Sequence, residues 1–229
     1  MKPARHHTFR TAAAIAAAAV AALVLSGCGA PEYQYPKSAE HNLYFKVPTT
    51  WKALDQSLVD AVTFGDPTSM AAQQKRAAGW AAAYDASPQP DVRHLQAGYP
   101  TTAPAVRAFV IPLDSEAQGA VSFDALRDAV LPTTEGARER AAADPSFPFS
   151  DFELVGEQLV SPEPGLRGVR LVYNYRSPSE ELQTYDQLML TNDATNLLYG
   201  LVIQCSAECY LDRQAEIQDV VSSFTVRSK

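Results

Sequence analysis

The chain has 229 residues, 46% of them hydrophobic, with 19 Lys and Arg against 26 Asp and Glu and a formal net charge of −7. That length is enough for one sizeable core. The acidic balance argues against nucleic acid, whose phosphates need clustered Lys and Arg, and against adhesion to anionic head groups; its ordinary use is solubility.

The N-terminal segment opens basic, with Lys2, Arg5 and Arg10, and then runs uncharged from Thr11 to Leu25. Leu25-Ser26-Gly27-Cys28 closes it. This resembles the bacterial lipobox, which implies cleavage before Cys28 after its sulfur has received diacylglycerol. Residues 1–27 are then a signal peptide, and the protein sits lipid-anchored on the extracytoplasmic face of the cell membrane. The alternatives are an ordinary secretory signal, which more often ends in Ala-x-Ala, and an uncleaved anchor, for which a run of about 15 residues is short. A buried methylene contributes about 0.8 kcal/mol, so two acyl chains on Cys28 hold where one would be marginal. Cleavage removes three basic residues and no acid, taking the net charge from −7 to −10.

Residues 28–41 show no sustained periodicity and read as a flexible tether, with one domain expected over 42–229. Leu43 to Val47 is a strand candidate ended by Pro48, and Trp51 is expected to fold back as a core anchor. Leu54 to Phe64 is ambiguous. Met70 to Tyr84 is Ala-rich and carries Met70, Ala77, Trp80, Ala81 and Tyr84 at helical spacing, which predicts one helix ended by Pro88 and Pro90. Ala105 to Leu113 predicts a strand, Ser122 to Leu131 a helix capped by Ser122, and Glu135 to Ala143 a small exposed helix.

The remainder is more regular. Phe152 to Val160, Gly168 to Arg176, Thr184 to Thr191 and Asn196 to Gln204 predict four successive strands. Val169, Leu171, Tyr173 and Tyr175 share one face of the second. The fourth is apolar on both faces, so both should be covered. Ser206 to Phe224 predicts a terminal amphipathic helix capped by Ser206, with Tyr210, Ile217, Val221 and Phe224 on its buried stripe.

Cys205 and Cys209 are the two cysteines left once Cys28 is lipidated, and in an oxidising compartment they read as a structural disulfide. A redox pair would more typically be Cys-x-x-Cys, and a metal site would want four ligands. No nucleophile elbow, zinc-binding His-Glu-x-x-His or phosphate loop is present. Asp66, Asp85 and Asp91 fall in or near loops, where carboxylates are usually solvated. His94 could serve as base or ligand, with surface or loop residence as the plainer reading. No catalytic residue, cofactor or metal is implied.

The opening Phe45-Lys46-Val47-Pro48-Thr49-Thr50-Trp51 and the ending Ile217 to Val226, with its Ser-Phe close, resemble the two ends of the PsbP/Mog1-like superfamily. Within it, the chain resembles actinobacterial lipoproteins of the LpqN type. The resemblance implies an α+β fold, an α/β/α sandwich around a mainly antiparallel sheet with a C-terminal amphipathic helix. It also implies a binding or assembly role without a shared catalytic centre. The expectation is therefore a non-catalytic accessory module for an envelope protein or small ligand. An envelope hydrolase using scattered carboxylates or His94 is the alternative.

Overall fold

A computed structural model describes residues 30–227. The expected signal peptide and the lipidation site Cys28 lie outside the described residues. Residues 30–32 carry no helix or strand; the fold described below is that of the unit beginning at Tyr33.

Its centre is a seven-stranded sheet in the order β5-β6-β7-β11-β10-β9-β8, with every neighbouring pair antiparallel. The strands are β5 (Lys52–Ala53), β6 (Trp80–Asp85), β7 (Ala105–Pro112), β8 (Ser150–Val160), β9 (Leu166–Arg176), β10 (Leu182–Asn192) and β11 (Leu197–Ser206). Helices cover both faces, giving an α+β sandwich. One face packs against α6 (Ala207–Asp212) and α7 (Gln214–Ser223), and its core joins Phe45, Val47, Trp51, Leu201, Ile203, Ile217, Val220 and Val221. The other packs against α1 (Gln56–Phe64) and α4 (Phe123–Arg127) around Val59, Leu126, Leu171, Tyr173, Tyr185 and Val202. β11 sends Leu201 and Ile203 to the first core and Val202 to the second, which is why its sequence is apolar on both sides.

The expected 70–84 helix is two elements. Helix α2 (Met70–Ala78) stops at Gly79, and Trp80 to Asp85 continue as β6 beside β7. Alanine favours helix, but the pairing with β7 and alternate burial of Ala81, Ala83 and Asp85 outweigh that preference. A Cβ at Gly79 would meet Lys75 O at 2.6 Å and Val110 O at 2.7 Å, so only glycine fits the crossover from helix to sheet.

Part of the segment expected as tether is ordered. β1 (Tyr33–Gln34) pairs with β4 (Val47–Pro48), and β2 (Lys37–Ser38) pairs with β3 (Leu43–Tyr44), which in turn pairs with β12 (Thr225–Val226). Each strand is two residues long, and β1–β4 and β3–β12 join distant segments, so local periodicity carries no trace of them. The remaining helices are α3 (Ser115–Ala120) and α5 (Glu135–Ala142).

Ser122 and Ser206 cap their helices, accepting hydrogen bonds from the Ala125 and Cys209 amides. Both helices are shorter than the expected spans. Helix α4 ends at Arg127, where the buried Gln187 side chain donates to the Leu126 and Arg127 carbonyls at 3.1 and 2.7 Å. The terminal helix breaks at Arg213, which leaves helical geometry (φ −111°, ψ 19°) and divides it into α6 and α7.

Candidate functional site

Trp51 is a core anchor: its ring is buried and its indole N–H donates to Glu216 Oε1 on α7 at 2.8 Å. Cys205 and Cys209 are joined in a disulfide with a Cα separation of 6.0 Å, linking the end of β11 to the first turns of α6. Among the described residues no group of three or more His, Cys, Asp and Glu is placed to hold a metal ion, and no helix is long and apolar enough to cross a membrane.

The sequence placed Asp66, Asp85 and Asp91 together as carboxylates in or near loops; the structure gives each a different environment. Asp66 is exposed and caps its own turn through Thr68. Asp91 is bound by the Arg93 guanidinium and backbone amide, which hold its carboxyl at about 2. Asp85, by contrast, ends β6 at 0% exposure. It accepts from the Ser87 and Asp91 amides at 2.8 and 2.9 Å and lies 2.7 Å from His94 Nδ1. His94 is thus not a free loop residue: Asp85 orients it on the short 3-10 turn Val92–Leu95, and Gln204 on β11 donates to its carbonyl at 2.6 Å. Strand alternation could have exposed Asp85, but only once 80–85 was read as a strand.

Two further charges inside the fold, one buried and one half-buried, escaped the sequence reading. Asp186, inside β10, is fully buried and receives Arg170 and Tyr210. The one charged residue of β10, next to a strand carrying Arg170, was the available signal. Arg107 on β7 donates to Val62 O at 3.2 Å and lies 5.3 Å from the centre of the Phe109 ring, and burial lowers its pKa to about 10.

The most substantial of the described hollows, about 440 Å³, lies where three turns and the last described residues meet. The β2–β3 turn contributes Glu40 and Asn42, the β8–β9 turn Gly165, and the β10–β11 turn Asn192 to Ala194. Leu166, Leu197, Tyr199 and Val226 form its apolar lining. The turns are pinned to one another. Asn192 Oδ1 accepts from the Asn196 and Leu197 amides, the Asp193 amide donates to Gly165 O at 3.0 Å, and the Arg227 amide donates to Asn42 O at 3.1 Å. Asp193 faces Arg167 at 4.0 Å. Burial raises the Tyr199 phenol above its ordinary value, so it stays neutral at physiological pH. A hollow of this size, its wall divided between apolar side chains and the polar or charged Glu40, His41, Asn42, Asn192, Asp193 and Arg227, suits a small amphipathic ligand or a partner's side chain.

Among solved structures, cyanobacterial PsbP (CyanoP) from Synechocystis sp. PCC 6803 matches with a TM-score of 0.50 at 13% identity, over 88% of this chain and 96% of that one. The fold is PsbP-like. Two weaker likenesses are LpqN of Mycobacterium tuberculosis, described as involved in cell envelope biogenesis, and the Saccharomyces cerevisiae Ran-binding protein Mog1p. LpqN gives a TM-score of 0.43 at 12% identity, over 86% of this chain and 91% of LpqN. Mog1p gives 0.43 at 10% identity, over 85% and 95%. No family model and no curated protein matches the sequence. In this PsbP-like frame the hollow lies at the turn end of the β8–β9 and β10–β11 hairpins, where loop sequence can vary without disturbing the sheet.

Proposed function

We propose that this protein is a lipid-anchored, extracytoplasmic lipoprotein whose PsbP-like domain is a non-catalytic binding or accessory module for an envelope protein or small ligand. Anchoring rests on Leu25-Ser26-Gly27-Cys28 following an uncharged apolar run. The observation that carries the binding role is the hollow between the turns, whose wall combines Leu166, Leu197, Tyr199 and Val226 with Asn192 and Asp193.

Each half has its own test. Cys28→Ala is expected to abolish palmitate incorporation and release the protein from the membrane fraction; unchanged fractionation would refute the anchor. For the binding role, native envelopes are photocrosslinked and the adducts of the parent compared with those of Ala194→Trp, which fills the mouth of the hollow from an exposed turn position. Loss of at least one protein or lipid adduct is expected, and identical adduct sets would refute the site.

The Asp85–His94 contact favours a second reading, an envelope hydrolase, because a buried carboxylate that orients a histidine is a recurrent catalytic arrangement. Neither residue lines the hollow between the turns. Turnover of an ester, amide or glycoside panel by the purified protein, lost in His94→Ala, would replace the first reading with this one.

A further inference from the structure

The two borders of the central sheet are finished differently. β5 is two residues long and carries the exposed Lys52, so it offers little to pair with. β8 runs for eleven residues, contains neither Lys nor Pro, and pairs only with β9 among the described residues. Leu154, Val155 and Leu159 on it are 48%, 56% and 58% exposed.

Its register selects an occupant. Leu154 stands opposite Tyr173 and Leu159 opposite Val169, so both leucines project to the face that Tyr173 and Val169 share. Five residues apart, they would lie on opposite faces of a regular strand; the register shift between Leu154 and Gly156 aligns them. Each carboxylate on β8 is also matched within the chain: Asp151 by Arg176 at 2.6 Å, Glu153 by Asn174 at 2.9 Å, and Glu157 by Arg127. Arg176 and Arg127 thus neutralise Asp151 and Glu157, which weakens both the attraction a basic peptide would need and the repulsion between two such borders; Asn174 is neutral and leaves the Glu153 charge in place.

We propose that β8 pairs antiparallel with β8 of a second copy about a two-fold axis at Glu157. With a bulge on each strand, this axis sets Leu154 of one copy against Leu159 of the other, twice, on one face. Val155 lies beside each contact, and the two Glu157–Arg127 pairs meet at the centre. An isologous contact of this kind closes on itself and stops at a dimer. It depends on neither the lipid anchor nor the hollow.

The test mixes two full-length variants in detergent, Leu154→Cys and Leu159→Cys, under mild oxidation, and reads covalent dimer by non-reducing electrophoresis and intact mass. The expected yield for the mixture is at least tenfold above either variant alone, above the unsubstituted chain, and above Leu211→Cys, a 72% exposed position on α6 that reports random collision. Adding Arg127→Ala to both variants leaves two bare carboxylates at the axis and is expected to lower the yield at least tenfold. A mixture yield equal to the Leu211→Cys background, or one indifferent to Arg127→Ala in a variant with unchanged circular dichroism, overturns the proposal.

Discussion

Arg170 holds Asp186 through two hydrogen bonds, Nε to Oδ1 at 2.9 Å and a terminal guanidinium nitrogen to Oδ2 at 2.6 Å, between neighbouring strands of the sheet. Tyr210 of α6 donates to the same carboxylate at 2.8 Å, and Gln218 of α7 accepts from Arg170 at 2.8 Å. Burial opposes the charge on Arg170, but Asp186 outweighs it and raises the guanidinium's pKa. Burial first, and then the neighbouring carboxylate, push the Tyr210 phenol well up. Two strands and two helices are therefore joined by one polar cluster. Asp186→Ala strips the cluster of its acceptor and is expected to cost about 3 kcal/mol in urea unfolding. Tyr210→Phe should cost about 1 kcal/mol. The double change Arg170→Met with Asp186→Leu should recover most of the loss; a double variant as unstable as Asp186→Ala would show that the pair is itself a net stabiliser.

Asp128 organises the turn between α4 and α5. It accepts from the Thr133 and Thr134 amides at 2.7 and 2.8 Å and from their hydroxyls at 3.2 and 2.6 Å. Burial disfavours its charge, but these four bonds prevail and hold the carboxyl below its ordinary 3.8. The unfolded chain therefore takes up the proton first as pH falls. The stabilisation is fully present above 3.8 and is lost as pH drops through the lowered folded value. At neutral pH, Asp128→Ala is expected to cost about 2 kcal/mol. Urea titrations at descending pH should show the gap between variant and parent closing.

At the alkaline end the sign reverses. Burial raises Tyr185, stacked on Tyr173 with ring centres 5.4 Å apart, from 10.0 to about 12. The folded protein keeps this phenol protonated where the unfolded chain ionises. Stability should therefore be intact below 10.0 and fall as pH rises toward about 12. Tyr185→Phe should weaken that decline, and phenolate absorbance should show this tyrosine ionising together with unfolding.

The Cys205–Cys209 bridge closes a very short loop. Chain-entropy reasoning assigns it about 2 kcal/mol. Without reductant, alkylation of the folded protein should leave both cysteines unlabelled by intact mass. The double change Cys205→Ser and Cys209→Ser should lower stability by about that amount while leaving the Ser206 cap and the sheet's circular dichroism in place.

The local grammar of this sequence is readable where strands are long and half-covered. Alternation at Val169, Leu171, Tyr173 and Tyr175 marks β9 and its buried face, the doubly apolar Leu197 to Ile203 marks a strand covered on both sides, and Ser122 and Ser206 announce their helices. What fails is whatever tertiary pairing decides. The Ala-rich 80–85 segment has helix propensity but acquires two strand neighbours in the fold. Tyr33–Gln34 and Lys37–Ser38 are too short for any period to show. The Asp85–His94 contact and the hollow at Asn192 to Ala194 are built from segments that local patterning cannot bring together.

The β1–β4 ribbon has a mechanical consequence. Gln34 Nε2 donates to Pro48 O at 3.2 Å and to Trp51 O at 2.9 Å, beside the two-residue ladder with Val47 and Pro48. A pull on the chain ahead of Tyr33 would load this clasp before it reached the ring of Trp51. The clasp can peel open one bond at a time, so it would act as a fuse, yielding under tension while the seven-stranded sheet stays whole.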